Sequence, residues 1–517
     1  MRRVMTVGGS DCSGGAGVQA DIKTFSALGV LGTSVLTAVT AQNSHGVQAK
    51  REVPVELVEA QFEAILSEKS DKGFAATVDY AKTGMLSSSA VVEAVARGLK
   101  GKTKSKRSKI PFVLDPVLRA GSAGSAGSAG SAGSEGSAGS GGSGGGGVLL
   151  EDEALETLVS VLLPICEVVT PNVPEACVLS GLEIKNKEDA KEAALEIHKM
   201  GAPAVILKGG HLEQETAAGR ATDIIYGEEF GFEEMSLSLL KTGKRRVVHG
   251  AGCSFSAALA AELAKGRGLR DAARSAKRFV HSAISVGVRV GSFVVLDQTC
   301  GLRRDADRYF VLQNVKEAVR RLKNTPNFKN FIPEVGTNIG MAVAGAESES
   351  EVAAVDGRLT PTKRDGIRGG VGAGVGAGGV GEGGVEFGVS GHVARLILAG
   401  LKHDEEKRSA INIKYSPEIV EACKDLGMRV FTFERAKEPT AAEGKTMNWA
   451  VREASREASR EASREASREA GEEEFSPDVI YDLGAVGKEP MVRIFGKTAV
   501  EVAEKVKRLV EKFYQKF

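Results

Sequence analysis

The sequence predicts an α/β fold in two parts. The first, over 1–300, is a parallel β-sheet covered by helices, and the second, over 328–517, is a smaller α/β domain. The first prediction rests on short, continuously apolar segments that alternate with amphipathic helical segments, as in parallel sheets buried on both faces. The second rests on a shorter series of strand-like segments. Between the two parts lies a charged segment, 301–327, that we predict to be a linker helix ending at Pro326.

The individual elements follow from hydrophobic periodicity. In the first part the predicted strands are 4–9, 34–41, 112–117, 168–172, 204–210 and 222–227, and the predicted helices are 17–28, 54–70, 150–163, 187–200 and 253–265. In the second part the predicted strands are 411–416, 430–435, 478–483 and 491–496, and a helix is predicted over 497–514. Ligands of parallel sheets bind beyond the carboxyl ends of the strands, where most of the Gly-rich turns fall.

Three stretches of biased composition interrupt the two domains. Residues 122–147 are mostly Gly, Ser and Ala, 369–384 are mostly Gly, Val and Ala, and 452–470 repeat Arg-Glu-Ala-Ser. We expect 122–147 to be disordered, because it cannot bury enough apolar area to offset the entropy of ordering. We expect 452–470 to be a solvated helical extension, because Ala, Glu and Arg favour helix.

Charge and cysteine content exclude several classes of protein. The 68 Lys and Arg residues balance the 67 Asp and Glu residues, so no basic field favours nucleic acid. No segment approaches 18 uninterrupted apolar residues, which argues against a membrane span. The six cysteines are scattered and form no Cys-x-x-Cys pair, as expected of free thiols in a reducing cytoplasm. We therefore expect a cytoplasmic protein that binds neither nucleic acid nor membrane.

The first chemical motif is the Gly-rich run from Gly8 to Gly17, GGSDCSGGAG, between a predicted strand and a predicted helix. Glycines there let backbone N–H groups approach a ligand closely. The run is not a Walker A loop, because no Gly-Lys-Ser/Thr follows at the required spacing. It partly matches a dinucleotide fingerprint, but 34–41 contains no acid to bind a ribose. A simple tight turn remains an alternative.

The second motif, His249-Gly250-Ala251-Gly252-Cys253, opens a predicted helix. Backbone N–H groups at a helix N-terminus bind anions, and the helix dipole adds to that attraction. Phosphoryl transfer depends on such donors. We expect a lowered thiol pKa for Cys253, which could act as a base or as a hydrogen-bonding group. The alternative is a turn that glycine permits, with a packed Cys.

Charged residues follow several of the predicted strands. Asp115 and Glu175 could organise Mg²⁺ near nucleotide phosphates, and Lys208 could pair with a phosphate. Taken singly, each is more often a solvated loop charge. In this order, together with the two Gly-rich motifs, they indicate an ATP-dependent kinase without a P-loop.

Residues 1–295 resemble the hydroxymethylpyrimidine/phosphomethylpyrimidine kinases of thiamine biosynthesis, which belong to the ribokinase-like superfamily. The resemblance is carried by GGSDCSGGAGVQADIKTF, TAVTAQNSHGV, AKTGML, LDPV, TPNVPEA, ILKGGH and HGAGCSFSAALAAEL. It implies that ATP and Mg²⁺ are used to phosphorylate 4-amino-5-hydroxymethyl-2-methylpyrimidine and then its monophosphate to the diphosphate. The tract 122–147 departs from the family, because it lengthens the loop after LDPV.

The resemblance also implies roles for residues at the matching positions. Gln42 would recognise the aminopyrimidine edge, since an amide both donates and accepts hydrogen bonds. Met85, Gly9 and Asp21 would complete the substrate site. The remaining implied roles are ATP or Mg²⁺ binding by Lys208, Asp115, Asn172 and Glu175, with Glu175 holding Mg²⁺ through water, and catalysis by Gly250, Gly252 and Cys253.

The second part contains an independent set of charged residues. Arg358, His392, Arg395, Lys414 and Lys488 lie in turn-prone or strand-end segments and would form an anion-binding pocket with one titratable base. Taken singly, Arg395 and Lys414 could be surface charges, and His392 could cap or pack against a helix.

Residues 328–515 resemble the ThiN-type thiamine-phosphate synthases, which in archaea are fused behind this kinase. The matching segments are IPEVGTNI, SGHVARLIL, NIKYSPEIVEACK and PDVIYDLGAVGKEP. The resemblance implies condensation of the pyrimidine diphosphate with a thiazole phosphate, releasing pyrophosphate. Arg358 and His392 would be catalytic, and Lys414, Lys488 and Asn338 would bind phosphate. Leu483 stands where a basic residue is expected.

The sequence therefore predicts a multifunctional thiamine-pathway enzyme that acts on small molecules and forms a homo-oligomer. One alternative is a related pyridoxal-type kinase, against which Gln42 and the TAQN segment argue. In this alternative, the C-terminal domain senses thiamine phosphates and does not catalyse a reaction. The presence of both Arg358 and His392 favours a synthase over a sensor.

Overall fold

The computed structural model describes residues 1–67, 78–101, 109–118, 149–210, 212–240, 247–362, 366–369, 384–433, 449, 451–454, 477–485 and 487–516. The chain forms two compact units, Met1–Leu302 and Arg303–Phe517. The expected disorder of 122–147 and the interior of the 369–384 tract lie outside the described residues. Of the expected helical extension, 452–454 are helical and the remainder lies outside the described residues.

The first unit is built on a nine-stranded sheet with the order β3-β2-β1-β4-β5-β6-β7-β8-β9. The strands are β1 Arg3–Asp11, β2 Leu31–Asn43, β3 Gly46–Glu52, β4 Tyr80–Thr83, β5 Phe112–Leu114, β6 Val168–Val169, β7 Ala204–Leu207, β8 Arg220–Gly227 and β9 Gly231–Ser238. The strands from β2 to β7 in this order run parallel, which confirms the predicted parallel sheet. The edge strands β3, β8 and β9 pair antiparallel.

Helices cover both faces of this sheet. They are α1 Gly17–Ala27, α2 Val55–Ser67, α3 Ser89–Leu99, α4 Asp152–Thr157, α5 Val173–Ser180, α6 Lys187–Lys199, α7 Glu213–Ala217, α8 Ala251–Ala264 and α9 Leu269–Ser285. Phe112 and Leu114 pack into one core with α2 to α6, whereas Val113 packs into a second core with α1, α8 and α9. Successive strand residues point to opposite faces, and this explains why the strands are apolar without alternation.

A small sheet lies beside α8 and α9. It consists of β10 Val247–His249, β11 Val288–Val290 and β12 Phe293–Val295, in the order β10-β12-β11. β10 leads directly into α8 through Gly250, so this sheet fixes the start of that helix.

The second unit contains a seven-stranded sheet with the order β17-β14-β13-β18-β21-β20-β19. Its strands are β13 Ile339–Ala342, β14 Val352–Val355, β17 Val385–Phe387, β18 Ser409–Lys414, β19 Val430–Thr432, β20 Val479–Asp482 and β21 Met491–Gly496, while β15 Thr360–Pro361 and β16 Ile367–Arg368 form a separate pair. Only β19 and β20 pair in parallel within these described strands. The helices are α10 Cys300–Lys323, which spans the division between the units, α11 Gly391–Leu401, α12 Pro417–Asp425 and α13 Ala499–Lys516.

Several strands differ from their predicted bounds for local reasons. The predicted strands 112–117 and 168–172 end at Leu114 and Val169, shortly before Pro116 and Pro171, which cannot donate to a neighbouring strand. β4 was not predicted, because a four-residue segment with a central Lys does not look apolar. β13 and β14 also have four residues each, and β17 has three. In the described residues, no helix has the length and hydropathy that crossing a bilayer requires.

Candidate active site

A cavity of about 390 Å³ opens at the carboxyl ends of the central strands of the first unit. The structure brings together here every residue that the sequence predicts for the kinase site. These residues are Gly9, Asp21, Gln42, Met85, Asp115, Asn172, Glu175, Lys208, Gly250, Gly252 and Cys253. They come from seven different segments of the chain, and the parallel sheet is what gathers them at one edge.

The N-terminus of α8 faces this cavity and is closed by Gly250. This glycine has a φ of 88°, and a Cβ on it would lie 1.8 Å from the carbonyl oxygen of Gly15. Both the backbone conformation and the lack of space therefore require glycine. The first backbone hydrogen bond of α8 runs from the Ser254 N–H to the Gly250 carbonyl oxygen, at 2.9 Å, so the N–H groups of 251–253 precede the hydrogen bonds of the helix. Such N–H groups form an anion site.

Asp11, which the sequence analysis missed, joins the two Gly-rich turns. Its carboxylate accepts hydrogen bonds from the Ser13 N–H at 2.8 Å, the Ala16 N–H at 2.8 Å and His249 Nε2 at 2.9 Å. The His249 ring stacks on Phe293 with centroids 4.4 Å apart. Burial alone would raise the pKa of Asp11, but the hydrogen bonds, led by that of His249, outweigh it and hold the pKa well below the usual range. Asp11 is therefore an anionic anchor for both turns.

The predicted acceptor pocket lies against the first turn. A Cβ on Gly9 would come within 3.0 Å of Met85 Sδ, so glycine there makes room for the methionine. The backbone N–H of Gln42 is 3.3 Å from Cys12 Sγ, and its side-chain amide helps to lower the pKa of the Asp11 carboxyl. Gln42 also lines the cavity.

A network of buried charges lies beneath the cavity. Lys82 Nζ is 2.9 Å from Asp21 Oδ2 and 4.0 Å from Asp115 Oδ2. Lys208 Nζ is 2.9 Å from Asp115 Oδ1. Asp115 also accepts hydrogen bonds from the hydroxyls of Ser256 at 3.0 Å and Thr170 at 3.1 Å. Asp115 is therefore surrounded by protein donors, and Lys82 is a second residue that the sequence analysis missed.

Burial controls the protonation of this network. It raises the pKa of Asp21 in spite of the adjacent Lys82 ammonium. It would lower the pKa of Lys208, but the carboxylates of Asp115 and Glu175 raise it overall, so Lys208 stays charged. The pKa of Cys253 is raised to about 11, because burial outweighs the attraction of Lys82. The lowered thiol pKa expected for Cys253 was therefore wrong, and this thiol is protonated at neutral pH.

Glu175 and Asn172 form a capping box at the start of α5. The Glu175 N–H donates to Asn172 Oδ1 at 2.8 Å, and the Asn172 N–H donates to Glu175 Oε2 at 2.9 Å. Asn172 thus acts first as a helix cap, although it also lines the cavity. Burial raises the pKa of Glu175 to about 7, with Lys208 opposing that shift. No group of three or more His, Cys, Asp or Glu side chains able to hold a metal occurs among the residues described.

A second cavity, of about 330 Å³, lies beyond the N-terminus of α11 in the second unit. It brings together four of the predicted synthase residues, Asn338, Arg358, His392 and Lys488, and the candidate Arg395. Lys414 is exposed at the end of β18 and is not among the described lining residues, so its phosphate-binding role stays a prediction.

The other lining residues hold these cations in place. The Asn338 amide donates to the carbonyl oxygens of Val355 at 3.1 Å and Gly357 at 2.9 Å, so it positions the turn before Arg358. This use leaves Asn338 a supporting residue rather than a phosphate donor. Arg493, which the sequence analysis missed, is 1% exposed and lies 2.6 Å from Asp482 Oδ2. It forms part of the cavity floor.

Comparison with known proteins agrees with both sites. The family model for phosphomethylpyrimidine kinase matches residues 11–132 and 142–296, and that for thiamine-phosphate synthase ThiN matches 314–508. The hydroxymethylpyrimidine/phosphomethylpyrimidine kinase of Streptomyces coelicolor is 40% identical over 290 residues, covering 56% of this chain and 90% of that protein. The bifunctional thiamine biosynthesis protein ThiDN of Methanocaldococcus jannaschii is 28% identical over 513 residues, covering 99% of each. Among solved structures, a Staphylococcus aureus pyridoxal kinase bound to AMP-PCP and pyridoxal is 31% identical with a TM-score of 0.46, covering 59% of this chain and 96% of that one.

The fold and the first cavity, together with the family-model match over 11–132 and 142–296, define a kinase of small molecules. The phosphomethylpyrimidine kinase model covers more than half of the 517-residue chain. The chain belongs to the phosphomethylpyrimidine kinase family, and its C-terminal part matches the thiamine-phosphate synthases. Both resemblances drawn from the sequence are confirmed.

Proposed function

We propose that this chain carries out three consecutive reactions of thiamine biosynthesis. The first unit phosphorylates 4-amino-5-hydroxymethyl-2-methylpyrimidine with ATP and then converts the monophosphate to the diphosphate. The second unit condenses the diphosphate with thiazole phosphate, giving thiamine phosphate and pyrophosphate. The observation that carries the proposal is the first cavity, where a helix N-terminus, Lys208 and the Gln42 amide face one space. The full-length match to a bifunctional ThiDN protein supports the order of the two units.

The acceptor pyrimidine binds between Gln42 and Met85. The Gln42 amide can donate to a ring nitrogen and accept from an exocyclic amine. Met85 is 8% exposed and offers an adaptable apolar surface to the ring. These two contacts select an aminopyrimidine and direct its hydroxymethyl group to the start of α8.

The transferred phosphoryl group is stabilised by Lys208 and the N–H groups at the start of α8. Catalysis of this transfer depends mainly on positioning and charge stabilisation, which fixed donors supply without reorganisation. The Cys253 thiol is protonated at neutral pH, because its pKa is about 11. We therefore assign it to hydrogen-bond donation and not to proton abstraction.

The residues of the cavity fit Mg²⁺ and ATP. Mg²⁺ prefers oxygen ligands, retains several waters and is bound through one or two carboxylates plus phosphates. Glu175 would hold it through water, with Asp115 nearby, and the lack of a larger ligand cluster among the described residues suits a metal carried by the nucleotide. When bound, Mg²⁺ neutralises charge on the nucleotide phosphates.

In the second unit, the diphosphate group binds at the N-terminus of α11. Arg358, Lys488 and the buried Arg493 supply positive charge, and His392 lies on the first turn of the helix. When the diphosphate departs, it leaves a delocalised cation on the pyrimidine methylene, which the thiazole nitrogen attacks. Cationic donors on the leaving group contribute more to this reaction than a strong nucleophile does.

The alternative, a pyridoxal-type kinase with a sensing module, is less well supported. The matching family model for 314–508 describes a synthase, and the relative that matches the whole chain is named as bifunctional. The cytoplasmic location and the homo-oligomer stay predictions from the sequence.

A substrate panel tests the kinase assignment. The purified chain is given ATP and Mg²⁺ with hydroxymethylpyrimidine, its monophosphate or pyridoxal, and ADP release is followed. We expect both pyrimidines to be phosphorylated with a higher kcat/KM than pyridoxal. A preference for pyridoxal would overturn the assignment. The matched variant Gln42→Glu should reduce phosphorylation of the pyrimidines more than that of pyridoxal, because it replaces an amide donor with an acceptor.

A further inference from the structure

Lys82 is a buried cation without a role in the reaction described above. It lies in β4 near the middle of the sheet, and its side chain is 1% exposed. The partners of its ammonium are two carboxylates, Asp21 at 2.9 Å and Asp115 at 4.0 Å. A buried charge is costly unless opposite charges accompany it. The position of Lys82 beneath an active-site cavity therefore indicates a function beyond packing.

Lys82 and Lys208 occupy equivalent positions around Asp115. Lys208 approaches one carboxylate oxygen at 2.9 Å, and Lys82 faces the other at 4.0 Å. A Cβ on Gly84 would be 3.2 Å from Lys82 Nζ, and a Cβ on Gly252 would be 3.2 Å from Lys208 Nζ, so glycine at each position leaves room for the ammonium. Both lysines are among the residues that line the cavity.

The four side chains are electrically balanced. Asp21 and Asp115 carry two negative charges, and Lys82 and Lys208 carry two positive charges when all are ionised. Removing the Lys82 charge would leave a net negative charge beneath the place where the nucleotide phosphates bind. Asp115 would then attract the Lys208 ammonium more strongly, and the phosphates would be repelled, since low-dielectric surroundings screen such charges weakly.

We propose that Lys82 is a positioning residue of the kinase site. Its ammonium neutralises Asp21 and Asp115, so that the Lys208 ammonium is available to the phosphates. Lys82 acts through these carboxylates and does not itself bind substrate. The inference rests on the proposed kinase function of the first unit.

Charge compensation provides the test. In the full chain, Lys82→Met should lower kcat for phosphorylation of hydroxymethylpyrimidine about 100-fold, the size of loss that a misplaced catalytic group produces. The KM for the pyrimidine should stay unchanged, because Gln42 and Met85 are untouched. The double variant Lys82→Met/Asp21→Asn removes one charge of each sign and is compared with the single variant Asp21→Asn, because Asp21 also lines the cavity. Replacing Lys82 in the Asp21→Asn background should lower kcat less than about tenfold, because close charges couple strongly.

A matched control separates this effect from the general cost of losing a buried lysine. Lys407 is 7% exposed and lies 3.1 Å from Asp478 in the unit Arg303–Phe517. Lys407→Met should leave the kcat of phosphorylation unchanged.

Each outcome decides the proposal. A loss of kcat on replacing Lys82 that is as large in the Asp21→Asn background as in the wild type would overturn it, because Lys82 would then act through its own contact with substrate. A Lys82→Met variant with normal kcat would overturn it as well. If Lys82→Met does not fold, the double variant is compared with Asp21→Asn: kcat within about tenfold of that single variant supports the proposal, and a greater loss contradicts it. An inactive wild-type chain would instead refute the proposed kinase function.

Discussion

The interlocked Gly-rich turns predict a large effect of one added methyl group. In Gly250→Ala, the new Cβ would lie 1.8 Å from the Gly15 carbonyl oxygen, far inside van der Waals contact. The turn at the start of α8 and the turn containing Gly15 must then separate by more than 1 Å. The φ of 88° adds strain of about 1 to 2 kcal/mol for a residue with a side chain. A displacement of this size should lower kcat for both phosphorylations about 100-fold.

Gly266 offers a matched control for this substitution. It has the same φ of 88°, but nothing lies within 4 Å of its would-be Cβ, and it follows the other end of α8. Gly266→Ala therefore introduces the backbone strain without the clash. ADP release by the two variants, measured beside the wild type, separates the two effects. The reasoning is refuted if Gly250→Ala keeps kcat within about twofold of wild type, or if Gly266→Ala loses as much.

Three further predictions concern single side chains. Cys253→Ala should lower kinase turnover about tenfold, whereas Cys253→Ser should retain it, because a hydroxyl can replace the thiol as a hydrogen-bond donor. Since the pKa of Cys253 is about 11, iodoacetamide should label this thiol about 100-fold more slowly at neutral pH than an unperturbed thiol. Arg358→Ala and His392→Ala should each reduce thiamine phosphate formation about 100-fold without changing ADP release, and full synthase rates in both would contradict the second site. The raised pKa of Glu175, about 7, means that the folded chain binds more protons than the unfolded chain between pH 4.5 and 7, so stability falls as the pH rises through that window. Glu175→Gln should make the melting temperature fall less steeply with pH. An unchanged slope would contradict this prediction.

Sequence patterns were sufficient to predict the site residues that lie at the carboxyl ends of the parallel strands. Asp115 and Lys208 each follow an apolar segment, and topology alone brings such positions together. The Gly-rich motifs likewise indicate the anion site at Gly250 from the sequence alone. These features are local in the sequence, so a single chain is enough to find them.

The missed residues depend on contacts between distant segments. Lys82 is 61 positions from Asp21, and the Asp11–His249 pair joins residues 238 positions apart. No local pattern indicates such pairs, and a Lys in a short strand resembles a surface residue. The error on Cys253 has a different cause. Its place at a helix N-terminus suggests a lowered pKa, but the burial that determines the actual shift is a property of the whole fold.

The supporting role of Asn338 was also beyond sequence reasoning. Its amide is used by the carbonyl oxygens of Val355 and Gly357, which strand pairing brings to it. Lys414 shares a strand with Asn412, a residue of the second cavity, but lies at the exposed end of that strand. Residue type and motif therefore predicted the chemistry of the second site better than they predicted the role and place of each residue in it.

The most direct test of the account follows phosphorus-containing species by chromatography. The purified chain is supplied with hydroxymethylpyrimidine, ATP, Mg²⁺ and thiazole phosphate. The account predicts transient pyrimidine monophosphate and diphosphate, followed by thiamine phosphate and an equal amount of pyrophosphate. Pyrimidine diphosphate that accumulates without thiamine phosphate would contradict the synthase assignment, and the absence of any pyrimidine phosphate would contradict the kinase.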